Sequence, residues 1–326
     1  RVRQRGAQSV LESAAAGLGE DLLVCLPLVW EVSGAVLGQD QHVSDARMIK
    51  ALQLVEVLLP HSARGVGARM SEAVLAVIAR ILTRSNAGAR HMAARACARV
   101  AGFDPLGAIE VLVRQVLPML QEAGSPIVDA RLGAIEAVYR TIQELGERLL
   151  PYAVLFLSPV LARMSDSDPA VRETATRSFA VLLQALPLER SVPDPVGLPP
   201  DLVAGRQRER RVLEQLCDPT ALDAYSISAN LTAELRPYQQ EGVNWLGFLV
   251  TYNLHGILCD DMGLGKTLQT IAVLASDTVN RRARFRETGL DCHRPLPSLI
   301  VCPSTLVPHW CHEVSKFSRD VEGVAY

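Results

Sequence analysis

Arg90, Arg131 and Arg172 stand 41 residues apart, and each sits in the same short phrase. The phrases are Ala89-Arg90-His91-Met92-Ala93, Ala130-Arg131-Leu132-Gly133-Ala134 and Val171-Arg172-Glu173-Thr174-Ala175, so Ala93, Ala134 and Ala175 keep the same step. A fixed period of this length constrains the fold strongly. A unit of about forty residues holds one supersecondary element, which buries its apolar face only against the next copy. Each phrase follows a turn-prone stretch: Arg84-Ser85-Asn86, Ala123-Gly124-Ser125-Pro126 and Ser165-Asp166-Ser167-Asp168-Pro169. Pro169 suits a first helical turn, with Asp168 as its cap. Amphipathic stretches over 69–84, 106–121 and 147–163 precede the phrases. In them Leu112, Val116, Leu117 and Leu120, and again Val154, Leu157, Leu161 and Met164, recur at helical spacing. Each unit is therefore predicted to be a helix pair. A more divergent pair is expected over 20–60, where Arg47 lies 43 residues before Arg90. Aromatics at 5% suit packed helices better than a β-sandwich.

The run from Asp166 to Arg172 resembles the inter-helix signature of HEAT-type repeats, whose period it shares. The resemblance implies an all-α solenoid over residues 1–190, a surface for partners rather than a site of chemistry; an unrelated helical bundle is the alternative. The small alanines let helices approach closely, while the arginine stem can lie across a neighbouring repeat. Residues 191–200 hold four prolines and a glycine, which excludes a helix or inner strand and ends the array. A charged helix is expected over 201–217, with Arg206, Arg208, Arg210 and Arg211 near Glu209 and Glu214. It reads as a brace on DNA phosphates or as a solvated connector. Residues 191–226 then form a linker, and 227–326 a second domain.

That domain carries the chemistry. The apolar run His255-Gly256-Ile257-Leu258-Cys259-Asp260 suits a buried parallel strand. It leads into Asp261-Met262-Gly263-Leu264-Gly265-Lys266-Thr267, followed by Leu268, Ile271, Ala272 and Leu274 at helical spacing. Strand, glycine loop and helix is the order a nucleotide-phosphate site requires. Gly263 and Gly265 let backbone N–H groups approach phosphate oxygens, and the helix N-terminus adds free amides. Lys266 supplies a point charge to the β- and γ-phosphates, and the Thr267 hydroxyl is placed to ligate Mg²⁺. Asp260 stands where the general pattern has its first glycine; it and Asp261 read as loop-shaping residues rather than an acid–base pair.

Three segments together resemble the opening of a SWI/SNF-type ATPase of helicase superfamily two: Leu235-Arg236-Pro237-Tyr238-Gln239-Gln240-Glu241-Gly242, Asp260 to Thr270, and Val301-Cys302-Pro303-Ser304-Thr305-Leu306. The resemblance implies an incomplete α/β RecA-like lobe. ATP and Mg²⁺ would be held by Gln239, which takes the place of an adenine-reading glutamine, and by Asp260, Asp261, Met262, Gly263, Leu264, Gly265, Lys266 and Thr267. Lys266 and Thr267 would be catalytic, and Pro303, Ser304 and Thr305 would receive a phosphate of double-stranded DNA. A strand at Leu299–Cys302 ending on Pro303 fits that role. Repeats joined to such a motor, with His309-Trp310, resemble the TATA-binding-protein-associated ATPases. Membership implies a nuclear enzyme that strips TATA-binding protein from promoter DNA to regulate transcription. A repeat scaffold with a silent nucleotide site and a nucleosome remodeller are the other readings.

The net charge of -2 confines any nucleic-acid contact to a local patch. Seven cysteines without a CxxC pair suit a reducing compartment rather than a disulfide framework. No signal peptide or bilayer-length apolar run is evident. Cys292, His293, Cys302, His309, Cys311 and His312 lack paired zinc-ligand spacing. The chain opens on Arg1 and stops soon after a strand–helix unit, so a fragment of a longer parent is expected. It lacks the acidic motif and second lobe that phosphoryl transfer needs, and is not expected to turn over ATP alone.

Overall fold

The computed structural model describes residues 2–38, 43–121, 128–189, 192–252 and 254–326. Contacts divide the chain into two compact units, Arg1–Leu213 and Glu214–Tyr326. Among the described residues regular structure is helical, and no helix is long and apolar enough to cross a membrane.

The first unit begins with α1 (Val2–Leu18), the short α2 (Leu22–Cys25) and α3 (Pro27–Gly38). Then come α4 (Asp45–Leu58), α5 (Arg64–Leu75), α6 (Ile78–Leu82), α7 (Ala87–Phe103), α8 (Pro105–Val111) and α9 (Pro118–Gln121). It continues with α10 (Val128–Leu145), α11 (Leu157–Arg163), α12 (Pro169–Glu189) and α13 (Pro200–Cys217), the last of which contains the unit boundary. Helices α4, α7, α10 and α12 pack in series and keep the sequence period. The preceding helix of each pair lies against them: α3 on α4, α5 and α6 on α7, α11 on α12. The divergent pair expected over 20–60 is thus in place as α3 and α4.

Side chains at the turns explain where these helices start. Asn86 accepts from the Ala89 N–H at 3.1 Å, and Asp168 from the Ala170 and Val171 N–H groups at 2.9 and 3.1 Å. The turn expected at 123–126 lies outside the described residues. Ala93, Ala134 and Ala175 are fully buried. Gly133 allows a close approach, because a Cβ there would overlap the Leu82 carbonyl. The register arginines clamp the turns. Arg90 Nη1 donates to the carbonyls of Arg84 and Ser85 at 2.6 and 2.8 Å, and Arg172 Nη1 to those of Asp166 and Ser167 at 2.6 and 2.9 Å. They also reach the next unit: Arg90 pairs with Asp129 at 2.8 Å, and Arg131 with the buried Asp166 at 3.0 Å.

The first helices of the pairs are less regular than their periodicity suggests. Over 105–121 the ladder slips by one residue at Leu112–Val116, where the Leu117 N–H bonds the Leu112 carbonyl. Pro118 is the cause, since it lacks an N–H and its ring crowds the carbonyl one turn back. Over 147–163 only Leu157–Arg163 is α-helical, after 3₁₀ turns that flank Pro151.

Residues 192–199 are free of helix, and Ser191 lies outside the described residues. The segment is tied down rather than loose. Leu198 and Leu202 join the hydrophobic core of the first unit, Arg210 donates to the Val192 carbonyl at 2.9 Å, and Arg206, with no exposed surface, pairs with Asp194. Arg206 is therefore neither a brace on DNA nor part of a solvated face. Its charge is neutralised inside the fold, where burial of an unpaired guanidinium would be costly.

The second unit contains α14 (Pro237–Thr251), α15 (Lys266–Thr288) and α16 (Val307–Phe317). Val243, Ala272 and Val273 form its core with Tyr225, Ile227, Leu231, Leu235 and Leu246 packed around them. The segment before α14 straps across: the Ser228 and Ala229 N–H groups donate to the buried Ser276 hydroxyl at 3.2 and 3.3 Å. The strands expected at 255–260 and 299–302 are not formed. Leu231 and Ser318 make an isolated antiparallel bridge, and no ladder occurs among the described residues. Ile257, Leu299 and Val301 are 84%, 86% and 87% exposed, the reverse of the expected burial. A strand exists only through hydrogen bonds to neighbours, and these two apolar runs do not pair with each other.

Candidate functional site

The glycine loop leads into a 23-residue helix, the longest among the described residues, and its backbone explains the residue choice. Gly263 and Gly265 have φ of 87° and 84°, the left-handed region that side chains with a Cβ avoid. Gly265 is the N-cap of α15 and offers no side-chain acceptor. The first-turn N–H groups of a 23-residue helix are therefore left for an anion. Met262 is almost fully exposed on the loop, and Leu264 is partly exposed.

Lys266 lies back across the loop it follows. Its Nζ donates to the Asp260 carbonyl at 2.6 Å and the Asp261 carbonyl at 2.8 Å. A phosphate would replace these carbonyls as the acceptor of the ammonium. The Asp260 side chain is held by Gln269, whose Nε2 donates to its Oδ2 at 3.2 Å. The backbone carbonyls of Asp260 and Asp261 and the Asp260 side chain thus hold the loop to α15. Among the described residues the Thr267 hydroxyl has no hydrogen-bond partner. By contrast, Thr270 one turn on bonds back to the Lys266 carbonyl at 2.9 Å. A free hydroxyl beside free helix amides fits a magnesium ion carried in by phosphate oxygens. No group of three His, Cys, Asp or Glu side chains among the described residues could hold a metal unaided, and the Cys292 side chain lies outside them.

Gln239 is brought onto this loop from α14. Its Oε1 accepts from the Arg236 N–H at 3.0 Å, and its Nε2 donates to the Leu264 carbonyl at 3.0 Å. A Cβ on Gly265 would overlap that Nε2, a second reason for glycine there. Both ends of the amide are in use, so reading an adenine edge requires Gln239 to exchange one of them. Gln269 was not singled out in the sequence. It is fully buried, and its Oε1 has no hydrogen-bond partner. The signal was present: an amide on the apolar face of a helix, three positions after the lysine.

Pro303, Ser304 and Thr305 stand apart, exposed at the 3₁₀ turn Ser304–Leu306 that opens α16. The Leu306 N–H is spent on the Pro303 carbonyl at 2.8 Å, while the two hydroxyls are open to solvent.

The chain is similar to several known proteins. A family model for the SNF2-related domain matches residues 238–326. TATA-binding protein-associated factor mot1 of Schizosaccharomyces pombe is 40% identical over 100% of the chain and 17% of its own length. TATA-binding protein-associated factor 172 of Homo sapiens is 37% identical over 97% of the chain and 18% of its own length. Helicase SWR1 of Candida albicans, at 38% identity, covers 31% of the chain and 5% of its own length. The chain therefore spans under a fifth of the length of the TATA-binding protein-associated factors it matches. Likeness to them runs through both compact units, whereas likeness to the helicase is confined to about a third of the chain, and residues 238–326 match the SNF2-related domain.

Proposed function

We infer that this chain is part of an ATP-driven DNA translocase that removes TATA-binding protein from promoter DNA, and so regulates transcription in the nucleus. Residues 1–190 are read as HEAT-type repeats, 191–226 as the connection, and 227–326 as the opening of a RecA-like lobe completed by further sequence. The observation that carries the reading is the similarity of the helical unit, together with the SNF2-related part, to proteins named for association with TATA-binding protein. A nucleosome remodeller is disfavoured because likeness to the helicase covers 31% of the chain, whereas likeness to the TATA-binding protein-associated factors covers nearly all of it.

In this reading Gly263 and Gly265 shape the cradle, and the first-turn amides of α15 with Lys266 take the β- and γ-phosphates of ATP. Thr267 would contribute a ligand to Mg²⁺, which when bound would supply positive charge for phosphoryl transfer. Gln239 and Gln269 keep the loop in shape. Ser304 and Thr305 meet the DNA backbone. ATP-driven motion of that contact pulls DNA while the repeats hold the protein partner.

The test uses the full-length protein and a labelled promoter duplex carrying TATA-binding protein. ATP should release the factor, while a non-hydrolysable analogue and the Lys266→Ala variant should not. Release that is equal with ATP and analogue would leave a scaffold with a silent nucleotide site. Movement of nucleosomes instead would favour a remodeller.

A further inference from the structure

Gln269 is a costly residue for the place it occupies. It stands on the core face of α15, in a stripe that continues through Ala272, Val273 and Ser276 at helical spacing, and it has no exposed surface. Ala272 and Val273 pack there with Val243 of α14. The Gln269 amide oxygen has no hydrogen-bond partner among the described residues. It lies against Gly242 of α14, where a Cβ would overlap it. A buried acceptor without a donor destabilises a fold, and an apolar side chain of the same length would fill this place without that cost. Turning the amide over gives no relief. Its oxygen would then face the Asp260 carboxylate, and its nitrogen would take the unpartnered place beside Gly242.

The other end of the amide accounts for it. Gln269 Nε2 donates to Asp260 Oδ2 at 3.2 Å, and the Asp260 backbone carbonyl receives Lys266 Nζ at 2.6 Å. Asp260 stands where the general phosphate-loop pattern has a glycine, so this loop carries a carboxylate beside its lysine. A carboxylate free to turn towards Lys266 would pair with the ammonium, compete with phosphate for it and add negative charge at the anion site. In the structure Lys266 Nζ is bonded to the Asp260 and Asp261 carbonyls rather than to their carboxylates.

We propose that Gln269 is a positioning residue of the nucleotide site, which ties the Asp260 carboxylate to the buried face of α15 and so leaves Lys266 to the phosphates of ATP. This role rests on reading the glycine loop as a phosphate cradle. It makes the loop's own carboxylate a competitor of the nucleotide and Gln269 its restraint. Gly242 belongs to the same device, since a residue without a Cβ leaves room for the amide.

The full-length protein is titrated with ATP and with AMP, and its thermal unfolding is followed without nucleotide. Gln269→Met keeps the length of the side chain and removes the amide. It should weaken ATP binding by about fivefold, the factor that a competing, partly exposed ion pair imposes on Lys266. AMP lacks the β- and γ-phosphates that Lys266 serves, so its affinity should change by less than about twofold. The unfolding midpoint should not fall, because the orphaned oxygen is gone. Adding Asp260→Asn to Gln269→Met removes the competing charge and should recover ATP affinity. Gly242→Ala, which displaces the amide without removing it, should repeat the loss for ATP, and it carries the test if Gln269→Met fails to fold. An ATP affinity unchanged in either folded variant overturns the proposal and leaves the nucleotide site in place. An equal loss for ATP and AMP, or a loss that Asp260→Asn does not recover, makes Gln269 a packing residue alone and refutes it. Absence of ATP binding by the wild-type protein overturns the nucleotide site and the proposal together.

Discussion

Asp166→Ala removes a carboxylate that the repeat register holds between two arginines. The Asp166 side chain is 1% exposed, paired with Arg131 at 3.0 Å and with Arg163 at 3.0 Å, whose side chains are 8% and 10% exposed. It also accepts from the Asp168 N–H at 2.9 Å and so shapes the turn that Asp168 then caps. Without it, two guanidinium groups remain buried without their counter-charge. Removing one member of a buried ion pair costs about 3–5 kcal/mol. For a unit of this size each kcal/mol shifts Tm by about 2–4 °C, so a loss of about 6–20 °C is expected. Thermal unfolding of the chain, followed by helical circular dichroism, reads it directly. The pH dependence has a definite sign. Burial opposes ionisation most strongly, but the Asp168 N–H, Arg131 and Arg163 together outweigh it and hold the carboxyl below its ordinary value. Its contribution is therefore complete above the unfolded pKa of about 3.9 and is lost as pH falls through the folded value. A variant within about 0.5 kcal/mol of wild type would place the pair among exposed ion pairs and refute the reasoning.

Lys266→Ala removes a charged hydrogen-bond donor worth about 1.5–3 kcal/mol, so nucleotide affinity of the full-length protein should fall by about tenfold to a hundredfold; titration with a fluorescent ATP analogue measures it. Gly133→Ala places a Cβ on the Leu82 carbonyl and should cost about 1–3 kcal/mol in urea unfolding. Glu209→Gln should raise Tm at neutral pH. Burial raises the Glu209 carboxyl pKa against the opposing bonds from Ser158, so the native acid loses stability as pH rises through its folded value. A variant with lower Tm at pH 7–8 would show that the Ser158 bonds outweigh burial.

The helical register was legible in the sequence because it is local. An arginine that clamps its own turn, an alanine that permits close packing and an aspartate cap all recur with one period, and Arg90, Arg172 and Asp168 behave accordingly. The backbone of the glycine loop was legible for the same reason. Positive φ at Gly263 and Gly265, and the lysine and threonine after them, are set within a few residues. What depends on distant partners was not legible. Arg206 looked like a surface charge until Asp194 and the folded Pro-rich segment enclosed it. Gln239 looked free to read a base until Leu264 took its amide. Gln269 carried no assignment until Asp260 reached it. The apolar runs around Ile257 and Leu299 looked like strands, yet a strand is a property of its neighbours rather than of its own residues. Local chemistry was thus written in the order of residues, whereas burial and pairing between remote segments were decided only by the tertiary fold, because the free energy of a buried charge or an extended backbone depends on what lies across from it.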